Sequence, residues 1–422
     1  MVSGSTVLRA ALLASALWLA GCGGGGGDGA DSAPAVVPAP APEAVPTPIP
    51  TPEPEVVAQA CGKGGLVDAE FRDAALATLT QLSVQAPGKD AHGAIRAHLS
   101  PGHTDPDDQD WQFVAAYHAN LAMAEALRVS PALAPRAADW LRWQARHTTG
   151  VGAGQGVVLD HWLRVGDLQE SLCPPGRPAG SCPQVDSYDS TAASLLLMAD
   201  AYRAAVPDAA LLHESAVRTA LQTAAATIAA LTQAHGLTLA KPDYPVAYLM
   251  DAVEVAAGWR AWARVQQQVY ADTIGAQASR AAAQRTEDAV RQQLWHVPSQ
   301  AWRVDVEAGA PDFSRWYADT VAQAWPLLWD VRGPAASDAA DAWRRAASRW
   351  QGANDWSQRN VDPDGFWWPS IAVAAHCAGD AAAARTWVAR ARSAWLQPGD
   401  PFPWPFQVSD LRWVFWMAEP RS

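Results

Sequence analysis

The chain has almost no lysine: Lys63, Lys89 and Lys241 are the only three. Its formal net charge is -12, so the basic stripe that a nucleic-acid backbone demands is missing. The same deficit argues against an anionic surface as the main partner, and weakly against a highly anionic polysaccharide. No segment reaches the roughly 20 consecutive apolar residues that a membrane-spanning helix needs. There is no CxxC pair and no HExxH, and the ten histidines are scattered, so neither a metal nor a cofactor is expected. A GxSxG nucleophile motif is also missing. Gly152, Gly154 and Gly156 look like a phosphate loop only superficially, because no strand and helix flank them.

What is present begins with a leader. Arg9 precedes an apolar run from Ala10 to Ala20 that includes Leu12, Leu13, Leu17, Trp18 and Leu19. A short apolar core ending in small residues reads as a signal peptide over residues 1–21. Leu19-Ala20-Gly21-Cys22 resembles the lipobox of bacterial lipoproteins. The resemblance implies a lipidated Cys22 and a membrane contact made through that anchor alone. Gly23, where an Asp would signal retention, implies the outer membrane of the cell envelope. Residues 22–60 hold a glycine run, Gly23 to Gly27, and then Pro38, Pro40, Pro42, Pro46, Pro48, Pro50, Pro52 and Pro54. Such a stretch cannot pack and reads as a tether.

Residues 61–422 remain, enough for one large domain, here expected to act as a monomer. With Cys22 set aside, Cys61, Cys173, Cys182 and Cys377 form an even set in an oxidising compartment. Cys173 and Cys182 bracket a closable Pro/Gly loop and are expected to pair. Cys61 with Cys377 would then tie the start of the domain to its last third.

The domain reads as helical almost throughout, with apolar residues at three- and four-residue spacing and no credible alternating strand. Twelve helices are expected, near 66–85, 110–129, 131–147, 188–206, 208–233, 245–269, 272–295, 316–329, 336–352, 365–378, 380–395 and 405–417. Joins after the second, fourth and tenth are short, at Ser130-Pro131, Pro207-Asp208 and Gly379-Asp380. Joins into the even helices are long, above all residues 148–187. Long loops in a compact domain are usually functional. Each carries acids and aromatics into the following helix: Asp110 and Trp111, Asp186 with Tyr188 and Asp189, Lys241 with Asp243 and Tyr244, Trp316 with Tyr317 and Asp319, Trp367 and Trp368, and Trp404.

Six antiparallel hairpins with elaborated loops at one rim resemble the (α/α)6 barrel of six-hairpin glycosidases. The resemblance covers most of residues 66–417. It implies an all-α toroid, an inner ring of even helices and a substrate cleft over their N-terminal ends. The stretches Asp186-Ser187-Tyr188-Asp189-Ser190, Lys241-Pro242-Asp243-Tyr244-Pro245 and Trp316-Tyr317-Ala318-Asp319 carry it. It names no substrate.

The chain has 22 tryptophans, all but Trp18 beyond the leader, and an indole offers the flat apolar face on which a sugar ring stacks. Trp140, Trp143, Trp259, Trp262, Trp343 and Trp387 lie inside helices and read as packing. Trp111, Trp316, Trp367, Trp368 and Trp404 fall at the rim and read as sugar platforms, beside Tyr188, Tyr244 and Tyr317. Glycoside hydrolysis takes two carboxyl groups, one held protonated. Asp189 and Asp243 are the first pair, with helix capping as the plain alternative for Asp189. Lys241 would hold Asp243 ionised. Asp186, Asp251 and Glu254 are further candidates, the last two on one face of the sixth helix. Asp110, Asp319 and Lys241 are expected to bind substrate, and Asp364 is a weaker candidate in a plain turn. Asp160-His161 is set aside, since chain neighbours seldom bond each other. His103 and Arg315 would suit a uronate. The reading is inverting hydrolysis of an extracellular or periplasmic polysaccharide. A polysaccharide lyase using Tyr188, Tyr244 or Tyr317 as base, and a non-catalytic glycan-binding or export lipoprotein, remain alternatives.

Overall fold

The computed structural model describes residues 61–150 and 156–420. The lipobox with Cys22, the tether, Gly152 and Gly154 lie outside the described residues. Those described belong to one unit, Cys61–Ser422, and among them no helix is long and apolar enough to cross a membrane.

The helices are α1 (Ala69–Leu82), α2 (Ala116–Val129), α3 (Ala134–His147), α4 (Tyr188–Ala205), α5 (Ser215–Leu231) and α6 (Leu249–Gln268). There follow α7 (Thr273–Ala289), α8 (Trp325–Leu328), α9 (Asp338–Ala347), α10 (Pro369–Cys377), α11 (Ala381–Trp395) and α12 (Asp410–Met417). Irregular helical turns from Trp316 to Ala324 lead into α8. The even helices touch in the order α2, α4, α6, α8, α10, α12 and back to α2, which closes an inner ring. The odd helices pack outside it, α3 and α5 on α4, α7 on α6, α9 and α11 on α10, and α1 on α12 and α2. The protein is an all-α (α/α)6 toroid, as expected from the hairpin pattern.

Side-chain caps are unevenly spread: in the outer layer α1, α7 and α11 have one and α3, α5 and α9 do not, and in the inner ring α4 has one. Outer helices α1, α7 and α11 start on Asp68, Asp272 and Asp380, whose carboxylates accept from Phe71, Gly275 and Ala383 N–H groups at 2.8, 2.9 and 3.0 Å. Inner helices α2, α6, α10 and α12 start without a side-chain cap. Their unsatisfied N–H groups and positive dipole ends gather at one rim.

The structure corrects the sequence reading at that rim. Asp110–Val114 is a strand, β2, where a helix start was expected. It pairs antiparallel with β1 (His103–Thr104) on one side and β3 (His161–Arg164) on the other, and β3 pairs with β4 (Glu170–Ser171). The long segment 148–187 is therefore partly sheet. The pairing joins residues some 50 apart, which no local periodicity reports. Two short hairpins complete the strands, β5 (Trp295–His296) with β6 (Ala301–Trp302) and β7 (Leu396–Gln397) with β8 (Asp400–Pro401).

Trp140, Trp143, Trp259, Trp262, Trp343 and Trp387 are all buried, as their helix-interior positions imply. Both disulfides are present, Cys61–Cys377 and Cys173–Cys182, with Cα separations of 5.2 and 5.4 Å. The ring is pinned shut at its far end by Glu125 of α2. It accepts both Lys63 (2.8 Å) and Arg128, and Arg128 in turn donates to the Ala418 carbonyl beyond α12 at 3.0 Å.

Candidate active site

Four backbone hydrogen bonds gather the site. The Asp160 N–H donates to the Gln184 carbonyl at 2.7 Å, the Tyr188 N–H to the Ala240 carbonyl at 2.7 Å, and Lys241 and Tyr244 close a turn on each other. The segment before β3, the start of α4 and the loop before α6 thus converge at the rim.

Ser187 is the cap of α4, its hydroxyl accepting the Ser190 N–H at 3.3 Å. The capping alternative for Asp189 therefore goes to Ser187. Asp189 is 0% exposed, and its carboxylate is filled by donors: Ser187 Oγ, the Ser190 N–H at 2.8 Å and Thr238 Oγ1. Burial still pushes its pKa up against those hydrogen bonds. Asp251 lies in the first turn of α6, half-buried and also hydrogen-bonded with Ser187. Burial, then the charges of Asp189, Glu254 and Asp186, hold it well above the usual carboxylate range.

One turn deeper, Glu254 Oε1 accepts the Tyr117 hydroxyl of α2 at 2.8 Å and Trp325 Nε1 of α8 at 3.0 Å. Burial pushes Glu254 up to about 7. Asp186 is exposed as a residue, yet the protein packed around its carboxyl raises its pKa, and Lys241 opposes the rise. Half-buried Asp160 is raised well above its ordinary value by burial and by Asp186, again opposed by Lys241.

Within the field of the carboxylates stands an aromatic cluster. Tyr317 stacks on Trp368 with ring centroids 5.0 Å apart and planes 13° apart. Trp368 meets Trp325 edge-on at 6.2 Å, and its Nε1 donates to Asp362 at 2.7 Å. Burial and the charges of Asp186 and Asp251 raise the Tyr317 hydroxyl well above 10. Tyr117 is raised likewise, by burial and then by Glu254. The Tyr244 and Tyr248 hydroxyls lie 3.0 Å apart at the cleft edge. Among the described residues no group of side chains could hold a metal ion.

Several expectations change here. Asp243 is exposed and its charge acts on Tyr188, while Lys241 acts on Asp160 and Asp186. Trp111 is 2% exposed, tied to Asp105 at 2.9 Å and faced by Arg164, so its face is not open to a sugar. Trp316 is 4% exposed and edge-on to Trp350. Trp367 packs against Trp387, Trp395 and Arg390 in the outer layer. Asp110 accepts the Thr104 hydroxyl at 2.7 Å, and buried Asp319 accepts the Asp312 N–H and pairs with Arg315 at 3.3 Å. These contacts hold loops together. His103 bonds to the Pro175 carbonyl at 2.7 Å, and Asp364 sits exposed in its turn. Trp404 is 47% exposed beside His98 and Phe366.

Asp160 was weighed only as a partner of His161 and set aside, and Tyr117 was not singled out. Asp160 reaches the site through strand pairing, and Tyr117 through the ring, so neither leaves a local signal of its place there.

The fold and cleft define a class of architecture, the helical toroid with carboxylates at the N-terminal ends of its inner ring. No protein-family model and no curated protein matches the chain. Among solved structures, a wild-type glycosidase superposes with a TM-score of 0.51 at 13% identity, over 82% of this chain and 95% of that one. A glycosidase variant in complex with glucose gives 0.50 at 14% identity, over 82% and 95%. A rhamnosidase from Klebsiella oxytoca with rhamnose bound gives 0.49 at 11% identity and covers 84% of this chain. This chain spans 65% of that rhamnosidase's length. At such identities the likeness is one of fold.

Proposed function

We propose that the protein is a glycoside hydrolase acting on a polysaccharide of the cell envelope or its surroundings, held there by a lipid anchor at Cys22. The observation that carries the reading is the contrast between Asp251 and Asp186 in one cleft. Asp251 sits where burial and three neighbouring carboxylates favour the neutral acid. Asp186 is an exposed residue, and although the protein around it raises its pKa as well, Lys241 opposes that rise. Glycoside hydrolysis needs such a pair with environments pushed apart.

Asp251 is the general acid that protonates the glycosidic oxygen. The single Ser187 hydroxyl proton cannot serve both Asp189 and Asp251. Ser187 gives that proton to Asp189, which leaves Asp251 as the carboxyl favoured in its neutral form. Asp189, sealed and saturated, is then a positioning residue beneath the acid. Asp186 is the base that takes a proton from the attacking water. Tyr317 and Trp368 offer a stacked wall for the sugar, with Tyr188, Tyr244 and Lys241 at the edge. Elimination fits less well, because a tyrosine base needs a lowered pKa and Tyr117 and Tyr317 are both raised.

The test is kinetic. On a polysaccharide the protein cleaves, Asp186→Asn and Asp251→Asn should each lower kcat by about 10²- to 10⁴-fold with an unchanged far-UV circular dichroism spectrum. Full activity in both variants would remove the assignment. Membrane fractionation of Cys22→Ser, which should release the protein from the envelope, tests the anchor.

A further inference from the structure

A second concave feature lies on the rim beside Tyr317. Residues 311–314 run into the turns that present Tyr317 to the cleft, and residues 349–354 follow α9. Between them Asp312, Phe313, Arg349, Trp350 and Asn354 line a recess of about 580 Å³, within the roughly 300–1,000 Å³ of small-molecule sites. Trp350 is half-buried, set edge-on to Trp316 at 5.1 Å, with its Nε1 donating to Thr320 Oγ1 at 3.1 Å. It is thereby fixed to the same turns that carry Tyr317.

The other side chains are not committed elsewhere. Half-buried Phe313 meets no other aromatic ring among the described residues, and exposed Arg349 and Asn354 make no side-chain hydrogen bond or ion pair there. Asp312 is held below the usual carboxylate range by hydrogen bonds from Ser314, so it stays an ionised acceptor. A pyranose ring presents an apolar C–H face and a rim of hydroxyls that both donate and accept. Two aromatics, a guanidinium fork, an amide and a carboxylate around one recess match that chemistry.

We propose that this recess is a second saccharide-binding site, taking a pyranose unit of the polymer at a distance from the bond being cleaved. The cleft-to-recess order, from Asp186 past Tyr317 to Trp350, would make the enzyme favour long chains over short ones. The proposal rests on the polysaccharide reading above but not on catalysis.

The experiment uses the chain carrying Asp186→Asn, to halt turnover, run in native affinity gels with soluble galactomannan, xyloglucan and alginate. Adding Phe313→Ala and Arg349→Gln should weaken retardation by the retained polymer about tenfold, some 1.4 kcal/mol. In the unsubstituted background the same two changes should raise KM for the polymer and leave kcat on its short oligosaccharides within about twofold. Equal retardation with and without the two substitutions overturns the recess, as does failure of all three polymers to retard the protein. If no polymer is cleaved by the unsubstituted chain, the hydrolase reading falls. Retardation lost on substitution would still support the recess.

Discussion

Glu254 sets the field in which Asp251 titrates. It lies three residues on along α6 and holds Tyr117 of α2 and Trp325 of α8 on one oxygen. Arg412 of α12 acts on it electrostatically. Asp251 also faces Asp189 and Asp186 from the α4 side, and Tyr317 lies in the field of Asp251. Because the Glu254 charge raises the Asp251 pKa, Glu254→Gln should lower it. The basic limb of the kcat–pH profile, where Asp251 loses its proton, should then move to lower pH. Tyr117→Phe should shift it the same way, since losing that hydrogen bond raises the Glu254 pKa and thins its charge at a given pH. An unmoved limb in both variants would reduce Glu254 to a packing residue. Much of this cluster was readable in the sequence: the spacing of Asp186 and Asp189 fell at a helix start, and that of Asp251 and Glu254 put both on one face of the sixth helix. Which carboxylate is sealed and which is open was not, because Thr238 and Tyr117 arrive from distant segments.

At the level of elements, the α4–α6 contact positions the acids. Gly258 of α6 sits so close to α4 that a Cβ there would come within 2.7 Å of the Ala193 Cβ. Gly258→Ala should therefore force the two helices apart, costing about 1–3 kcal/mol as overpacking does and lowering activity with stability. Thermal unfolding and kcat on the same samples check both. The two disulfides should separate by function. By loop-closure entropy, Cys61–Cys377, spanning 316 residues, is worth roughly 6 kcal/mol and Cys173–Cys182, spanning nine, roughly 3. The Cys61→Ser/Cys377→Ser variant should show the larger fall in Tm. The Cys173→Ser/Cys182→Ser variant should show the larger fall in kcat/KM, since that loop leads straight into Asp186. Helices were legible from their own periodicity, and the inner and outer alternation was implied by the resemblance to six-hairpin glycosidases. The four-stranded sheet was not, because each of its strands is short and its partners are remote. That sheet also explains why Trp111 turned inward and why Asp160 joined the site.

At the scale of the whole molecule, a ring of six uncapped or sparsely capped inner helices collects buried carboxyls at one end, and this leaves a mark on stability. Glu254 is pushed up to about 7 from an unfolded value near 4.3. Its folded state holds the proton more tightly, so its contribution to stability is full below about pH 4 and is lost as pH rises toward 7. Asp251 and Asp189 are shifted in the same direction. Tm should thus fall between pH 5 and pH 8, and fall less in Glu254→Gln; a Tm that rises over that interval would contradict the burial described for the cleft.

The most direct trial of the account is the mass of what the protein releases from a polysaccharide. The purified chain, its Asp186→Asn form and its Asp251→Asn form would be incubated with a panel of bacterial and plant polysaccharides and the soluble products weighed. The account predicts oligosaccharides each heavier by one water than the excised segment, formed by the unsubstituted chain and nearly absent with either variant. Unsaturated products lacking that water, or no products from any polymer, would contradict it.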